Sequence, residues 1–335
     1  MPSINLKIAV AMFCGWLASQ SYAQPGLQLH LPYLTSVSHA ALGALPVSAL
    51  PGREDDARVE QIAARFAVAG RERCAILAPY FGFVLQHLSQ FELADRPGMI
   101  ARQRLDKGPG VIAVVPGSPA AAAGIHPGDV LVAIAGRALL PEAALSMTFD
   151  AARARERADA IQDLLENTGT PSLSIAALRD NVVFVVDVTP QYACPHHVHL
   201  ARSNQRNAYA DGRHVFLTTG LLSRLGNDDE LAFIVAHEMA HNILHHATIM
   251  RSGSVKHGLR RTLGRSGRIV REAERAADAF GGELMIDAGF DPVRGAGILR
   301  RLGGSDLGVD LFAAHDSADK RIAAMRALAN ARRDQ

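Results

Sequence analysis

The sequence predicts an α+β protein in which a strand-rich region precedes a mainly helical one. Apolar, β-branched runs separated by Pro- and Gly-containing turns lie between residues 111 and 188. Apolar residues at helical spacing and helix-end signals dominate the region between residues 227 and 292. The chain has 335 residues, of which 48% are hydrophobic, and this length allows one large or two medium domains.

The charge balance gives no reason to expect a nucleic-acid partner. The chain has 35 Lys and Arg residues against 33 Asp and Glu residues, a formal net charge of +2. A nearly neutral protein has no basic field that would attract a polyanion. Beyond the N-terminus, no segment has the roughly 18 uninterrupted apolar residues of a membrane helix, so we expect no transmembrane segment in the mature chain.

Residues 1–23 are typical of a cleavable export signal. Lys7 precedes an apolar stretch, and the small residues Ser21 and Ala23 lie three residues and one residue before the predicted cleavage site. Cleavage after Ala23 predicts a periplasmic protein, with secretion as the alternative. Export also predicts an oxidising environment for the two cysteines that remain after cleavage.

Residues 24–78 are predicted to form an irregular lead-in followed by a helix. Ile62 and Phe66 belong to an apolar face at helical spacing, and Pro79 is expected to end the helix near residue 77. The two remaining cysteines, Cys74 and Cys194, are predicted either to form a disulfide or to be two buried thiols.

The strand-rich region is predicted from apolar runs that alternate with turn residues. The Pro-Gly-Ser-Pro sequence at 116–119 turns the chain out of the first strand, and Gly124 ends a short helix. The predicted strands are 111–115, 129–134, 172–175 and 182–188, and the predicted helices are 120–123 and 150–166.

The sequence at 114–136 resembles a PDZ domain of the bacterial protease type, and the resemblance extends over about 79–190. It implies that this unit binds extended segments or C-termini of peptides by adding a strand to a sheet edge. The sequence Tyr-Phe-Gly-Phe at 80–83 is a candidate carboxylate-binding loop, with an ordinary apolar strand start as the alternative. Because Cys74 and Cys194 flank this unit, we expect it to be inserted into the following domain with the cysteines at its base.

A helix with two histidines is predicted after Asn227. Asn227 is a suitable N-cap, and Glu230 is placed to complete a capping box. His237 and His241 are four residues apart, so they share a helical face and can bind one metal ion. Glu238 lies about 100° around the helix from His237 and can reach a water at the metal.

A tetrahedral catalytic zinc site also needs a third protein ligand. Glu274 is the candidate, and Asp278, four residues later, can accept the second ring N–H of a ligating histidine. The alternative is a solvated helix face that carries Arg271 and Arg275 as well. Glu272 is a rival third ligand. The adjacent histidines at 245 and 246 are expected to cover the end of the first helix.

Three motifs resemble the M48 family of zinc peptidases. They are His-Glu-Met-Ala-His at 237–241, Glu-Arg-Ala-Ala-Asp at 274–278 and Gly-Phe-Asp-Pro at 289–292. The resemblance implies a mainly helical, zincin-type metallopeptidase domain at 191–335 with one zinc ion per chain.

The same resemblance assigns a role to each residue of these motifs. His237, His241 and Glu274 are implied to be the metal ligands. Glu238 is implied to be the general base, and Asp278 is implied to support a ligating histidine from the second shell.

Two further segments resemble parts of this family. Asn207 and Ala208 begin a sequence like the family's edge strand, which pairs with the substrate backbone; a simple β-turn is the alternative. His315, six residues before Arg321, resembles a histidine implicated in stabilising the tetrahedral intermediate. An oxyanion donor, a removable fourth ligand and an exposed side chain remain open for His315. The segment 251–266 is either a lid or a solvated loop.

The sequence therefore predicts an exported zinc metalloendopeptidase that cleaves unfolded or misassembled proteins in envelope protein quality control. The alternative is a peptide-binding or chaperone-like protein with a structural zinc site. The histidines at 196, 197 and 199 are predicted to lie on a strand surface rather than to form a second metal site.

Overall fold

The computed structural model describes residues 48–141, 149–167, 169, 171–252, 255, 264–302 and 316–334. The predicted signal peptide at 1–23 and His315 lie outside the described residues. The helices are α1 (Glu54–Ala69), α2 (Arg96–Gln103), α3 (Pro119–Ala122), α4 (Ala151–Glu166), α5 (Thr219–Leu222), α6 (Asp228–Ile243), α7 (His246–Arg251), α8 (Gly264–Asp287), α9 (Pro292–Ala296) and α10 (Ala318–Arg333).

Strands are concentrated before α5, as the alternating apolar runs predict. They are β1 (Ser48–Ala49), β2 (Ala78–Tyr80), β3 (Phe83–Gln86), β4 (Gly110–Val114), β5 (Val130–Ile134), β6 (Arg137–Ala138), β7 (Leu173–Arg179), β8 (Val182–Val188), β9 (Gln191–Ala193), β10 (Val198–Ala201), β11 (Ala208–Ala210) and β12 (Val215–Thr218). This mixture of helices and strands confirms the predicted α+β class.

The first sheet is antiparallel, and α4 packs against its inner face. Its strand order is β1-β4-β5-β7-β8, with β3 paired to β4 and β6 paired to β5. Leu131, Ile134 and Ile175 on the inner face pack against Ile161 and Leu165 of α4. The helix begins where Asp150 accepts hydrogen bonds from the N–H groups of its first turn, close to the predicted start.

Helix α1 packs mainly with the helices of the C-terminal half and also contacts β4 of this sheet. Phe66 shares a hydrophobic core with Phe233 of α6 and Leu284 of α8. The prediction of a helix reaching residue 77 was wrong, because α1 ends at Ala69. Gly70 follows, and a Cβ atom there would lie 2.2 Å from the tip of the Leu284 side chain, so any larger residue would require Leu284 to move.

The chain leaves the helical core after α1 and returns to it through neighbouring segments. Strand β2 pairs antiparallel with β9, with Ala78 opposite Ala193. Beside this pair, Cys74 and Cys194 form a disulfide with their Cα atoms 5.7 Å apart. Of the two alternatives that the sequence left open, the structure has the disulfide.

The first sheet, together with the helix α4 that packs on it, forms a unit that we call the sheet unit. This unit also contacts the second half of the chain through α4. Arg155 of α4 lies 2.9 Å from Asp211, and Asp163 of α4 lies 2.6 Å from Arg213. The turn that contains Asp211 and Arg213 joins β11 to β12, so ion pairs connect α4 to the second sheet.

The second sheet is small and lies beside α6. Its order is β10-β12-β11, with β10 parallel and β11 antiparallel to the central strand. Helices α6 and α8 pack closely together, because Gly281 of α8 brings its Cα against the backbone of Ala236 and His237. Among the described residues, no helix has both the length and the apolar character needed to cross a membrane.

Candidate metal centre

Helix α6 begins as the sequence predicts, although one detail of its start differs. The side chain of Asn227 accepts a hydrogen bond from the N–H of Glu230 at 3.1 Å. The carboxylate of Glu230 does not complete the predicted capping box. It instead accepts the N–H of Gly226 at 2.6 Å and binds the guanidinium of Arg301 at 2.7 Å.

Three side chains from α6 and α8 converge on one point. The Nε2 atoms of His237 and His241 lie 3.2 Å apart, and each lies 3.3 Å from Oε2 of Glu274. Within the part of the chain that the structure describes, this is the one group of three His, Cys, Asp or Glu side chains placed to hold a metal ion. The predicted rival, Glu272, is exposed and does not join it.

The dimensions of this triangle fit zinc. Zinc binds His nitrogen and carboxylate oxygen at about 2.0–2.1 Å in tetrahedral geometry, which places neighbouring ligand atoms about 3.3 Å apart. The observed edges of 3.2 and 3.3 Å agree with this spacing. Two imidazoles and one carboxylate leave the fourth tetrahedral position to water or substrate, as in catalytic sites.

A buried ion pair supports His237 from behind. The Nδ1–H of His237 donates to Oδ1 of Asp278 at 2.9 Å, and Arg321 of α10 donates to both oxygens of the same carboxylate at 2.6 and 2.7 Å. Burial opposes the charge on Asp278, but these donors hold the pKa of its carboxyl well below the usual range. Asp278 thus contacts a histidine of the triangle through its carboxylate.

The electrostatics of His237 follow from the same contacts. Burial alone would lower the pKa of this imidazole, but hydrogen bonds to Asp278 and Glu274 raise the pKa of His237 to about 10. The carboxylates of Asp278 and Glu274 therefore make this position favourable for a positive charge.

The second histidine of the triangle contacts another histidine. Nδ1 of His241 lies 3.0 Å from Nδ1 of His246, the first residue of α7. The prediction that both neighbouring histidines cover the helix end was wrong for His246, which is only 5% exposed. Burial and the proximity of His241 lower the pKa of His246 to about 4, so this ring is neutral at pH 7.

Glu238 lies beside the triangle and outside the group of three. It follows His237 on α6 and is 4% exposed, although it is ionisable. Its carboxylate is not one of the three converging ligands.

The predicted substrate-binding residues lie next to an edge strand. Ala208 begins β11 opposite Leu217 of β12, and Asn207 precedes it with its backbone bonded to Thr218. The Asp-Gly sequence, which was the basis of the alternative β-turn, follows the strand as a bend at 212–213, where the N–H of Gly212 donates to the side chain of Asn242 on α6 at 2.8 Å.

The predicted lid or loop at 251–266 and the histidine cluster at 196–199 remain to be placed. Residues 253–254 and 256–263 of the predicted lid or loop lie outside the described residues, like His315. The prediction of a histidine-rich strand surface was wrong for His196 and His197, whose side chains are 5% and 8% exposed. His197 lies 3.2 Å from Glu166 of α4 and therefore belongs to the contact between the sheet unit and the second half of the chain.

Comparisons with known proteins agree with this arrangement. Residues 186–264 match the family model described as Peptidase family M48, and residues 110–173 match that of the PDZ domain. One chain thus contains a segment similar to M48 peptidases and a segment similar to PDZ domains. The M48 match includes His237, Glu238 and His241 and ends before Glu274, so the position of Glu274 rests on the geometry of α8.

Solved structures resemble the PDZ domain only weakly. The HtrA3 PDZ domain bound to a phage-derived ligand is 20% identical, covers 35% of this chain and 88% of its own, and has a TM-score of 0.25. The HtrA-type protease AlgW with a decapeptide is 19% identical, covers 35% of this chain and 30% of its own, and has a TM-score of 0.24. No curated protein matches the sequence.

Proposed function

We propose that the protein is an exported, zinc-dependent metalloendopeptidase that cleaves unfolded or misassembled proteins. The observation that carries this proposal is the triangle formed by His237, His241 and Glu274, with buried Glu238 next to it on α6. A structural zinc site has four protein ligands and needs no neighbouring base, whereas a catalytic site has three protein ligands and a base.

The residues of the site divide the chemistry among them. Zinc, when bound, polarises the peptide carbonyl and makes water acidic enough to attack it near neutral pH. Asp278 holds the Nδ1–H of His237, so that Nε2 presents its lone pair to the triangle. Glu238 accepts the proton of the attacking water and delivers it to the nitrogen of the leaving amine.

The edge strand β11 supplies a binding surface for the substrate backbone. Among the described strands, β11 pairs with β12 alone, so its other edge has unpaired backbone groups. An extended substrate can add to this edge as another strand, with Asn207 near the scissile bond.

The PDZ domain supports a role in recruiting substrates. In the described part of the sheet, β3 pairs with β4 alone. A cavity beside β3 and α4 has an apolar side lined by Phe83, Ile161 and Leu165, and its lining also includes polar residues such as Glu60 and His197. An extended peptide can pair with the open edge of β3 and place an apolar side chain in this cavity. The pairing of such a groove with a peptidase supports a function in envelope protein quality control, as does the signal sequence at 1–23.

The test uses Glu238→Gln, which keeps the size of the side chain and removes its basicity. Zinc-loaded wild type, chelated wild type and zinc-loaded Glu238→Gln are each incubated with unfolded casein, and the products are sequenced. We expect cleavage by zinc-loaded wild type alone, with Glu238→Gln slower by about 100-fold or more, as for loss of a general base. Undiminished cleavage by zinc-loaded Glu238→Gln would refute the mechanism. Cleavage by no form would favour the chaperone-like alternative.

Export is tested separately by determining the N-terminal sequence of the protein recovered from the periplasm of an expressing bacterium. A first residue of Gln24 is expected. Retention of residues 1–23 on protein found in the cytoplasm would contradict the proposed localisation.

A further inference from the structure

The two histidines of the triangle differ in the partner of their second ring nitrogen. Nδ1 of His237 contacts the carboxylate of Asp278, whereas Nδ1 of His241 contacts Nδ1 of His246 at 3.0 Å. We propose that His246 is a positioning residue that holds His241 in the tautomer required for zinc binding. This inference rests on the proposed function as a zinc peptidase.

The direction of the hydrogen bond follows from the metal site. A neutral imidazole has one N–H and one lone pair, and a histidine that binds zinc through Nε2 carries its hydrogen on Nδ1. His241 must therefore donate from Nδ1, and Nδ1 of His246 must accept. In the opposite arrangement His241 would carry its hydrogen on Nε2, which points at Glu274 and His237 and leaves no lone pair for the ion.

The backbone is shaped to bring His246 to this place. On a continuous helix a residue five positions after His241 would lie about 140° around the axis, too far for its ring to meet the other ring. Helix α6 instead ends at Ile243, and His245 adopts the left-handed conformation with φ of 55° before α7 begins. This break turns the chain and returns His246 towards α6. Non-glycine residues seldom adopt this conformation, so the local structure must hold it in place.

His246 is buried and its neighbour His245 is exposed, and this difference allows a positioning role of His246 to be tested against a role in packing alone. His246 is 5% exposed, and its ring meets that of His241 almost edge-on, with centroids 4.9 Å apart and planes at 75°. The preceding residue, His245, is exposed. Two adjacent residues of the same type thus provide a test position and a matched control.

The experiment measures the zinc affinity of the full chain by competition with a chromogenic chelator. His246→Leu keeps an apolar side chain in the buried position and removes the acceptor. His246→Asn places a carbonyl oxygen near the position of Nδ1, whereas His246→Gln places its amide one carbon further out. His245→Asn is the control, because Asn tolerates the left-handed conformation. Thermal unfolding of each metal-free variant verifies that it is folded.

We expect His246→Leu and His246→Gln to lose about 10–100-fold in zinc affinity, which is typical of a lost second-shell partner. His246→Asn should recover most of this loss, and His245→Asn should bind zinc like wild type. Packing alone cannot explain recovery by Asn and not by Gln. If His246→Leu is not folded, the zinc affinities of His246→Asn and His246→Gln are compared instead, and this comparison tests the positioning role.

Wild-type affinity in folded His246→Leu or His246→Gln would overturn the inference. This outcome differs from a failure of the proposed function, which would show as wild-type protein that binds no zinc or as unimpaired cleavage by Glu238→Gln. A wild type that binds zinc and cleaves casein, together with an unaffected His246→Leu, would refute the role of His246 alone.

Discussion

A methyl group at Gly281 should disturb the metal centre from outside it. Gly281 lies where α8 crosses α6, and a Cβ atom there would be 3.0 Å from the carbonyl carbon of Ala236 and 3.1 Å from the backbone nitrogen of His237. Carbon atoms in good contact are about 3.5–4.0 Å apart, so the helices must move apart by a few tenths of an ångström. These contacts are backbone atoms, which cannot rotate away.

Two opposing effects set the magnitude for Gly281→Ala. Overpacking costs about 1–3 kcal/mol, while replacing Gly by Ala inside a helix returns up to about 1 kcal/mol. Gly297→Ala is the matched control, because its φ is −55° and a Cβ atom there meets nothing within 4 Å. That variant should gain about 0.4–1 kcal/mol, so the two variants should differ by about 2 kcal/mol in free energy of unfolding.

The assay combines urea unfolding of the metal-free variants with chelator competition for zinc. Since a metal site tolerates displacements of only about 0.5 Å, Gly281→Ala should also bind zinc more weakly, and Gly297→Ala should not. Gly282→Ala is a second comparison, because its Cβ would meet side-chain tips of Met325 and Leu328 that can move. If Gly281→Ala matches Gly297→Ala in both stability and zinc affinity, the helices do not depend on this close approach.

Two further predictions concern the carboxylates of α8. Glu274→Ala should abolish stoichiometric zinc binding measured by metal analysis after dialysis, and Glu272→Ala, an exposed change on the same helix, should retain one zinc per chain; equal zinc contents would remove Glu274 from the ligand set. Arg321→Met should destabilise the metal-free protein by about 3–5 kcal/mol at pH 7, since it leaves a buried charge on Asp278 with one partner fewer. The folded-state pKa of Asp278 is depressed, so its contribution to stability is present above about pH 4 and is lost as the pH falls further. Urea unfolding between pH 3 and 7 should therefore show a shallower acid loss in Arg321→Met than in wild type, and parallel profiles would contradict the role of this ion pair.

The centre of the candidate site was predictable because most of its signals are local. The four-residue spacing of His237 and His241, the N-cap at Asn227 and the spacing of Glu274 and Asp278 each follow from helix geometry. The pairing of the two helices is not local, and it was predicted only through the resemblance to a peptidase family. In the structure, α6 and α8 pack together, and Glu274 of α8 contacts both histidines of α6.

The missed residues depend on contacts that periodicity does not reveal. The sequence marked Arg321 only as the end of a family-like segment that begins at His315, and its contact with Asp278, 43 residues away, was not predicted. His246 contacts His241 because the helix is interrupted at His245. The sequence has no Gly or Pro at this position from which the interruption could have been predicted. Gly70, which follows the end of α1 at Ala69, likewise packs against a distant residue, Leu284 of α8.

The paired strands β2 and β9 and the neighbouring disulfide have a consequence for how products are made. A domain that is joined to its neighbour by a single connection can adopt many orientations. Here the strands that enter and leave the domain are paired, and a disulfide joins the chain beside them, so its orientation relative to the helical domain is restricted. If one end of a substrate is bound at β3 while the substrate is cut at the metal centre, the distance between β3 and the metal centre sets the length of the segment between the bound end and the cut. The fragments released from that end should then share one characteristic length, whatever the sequence of the substrate.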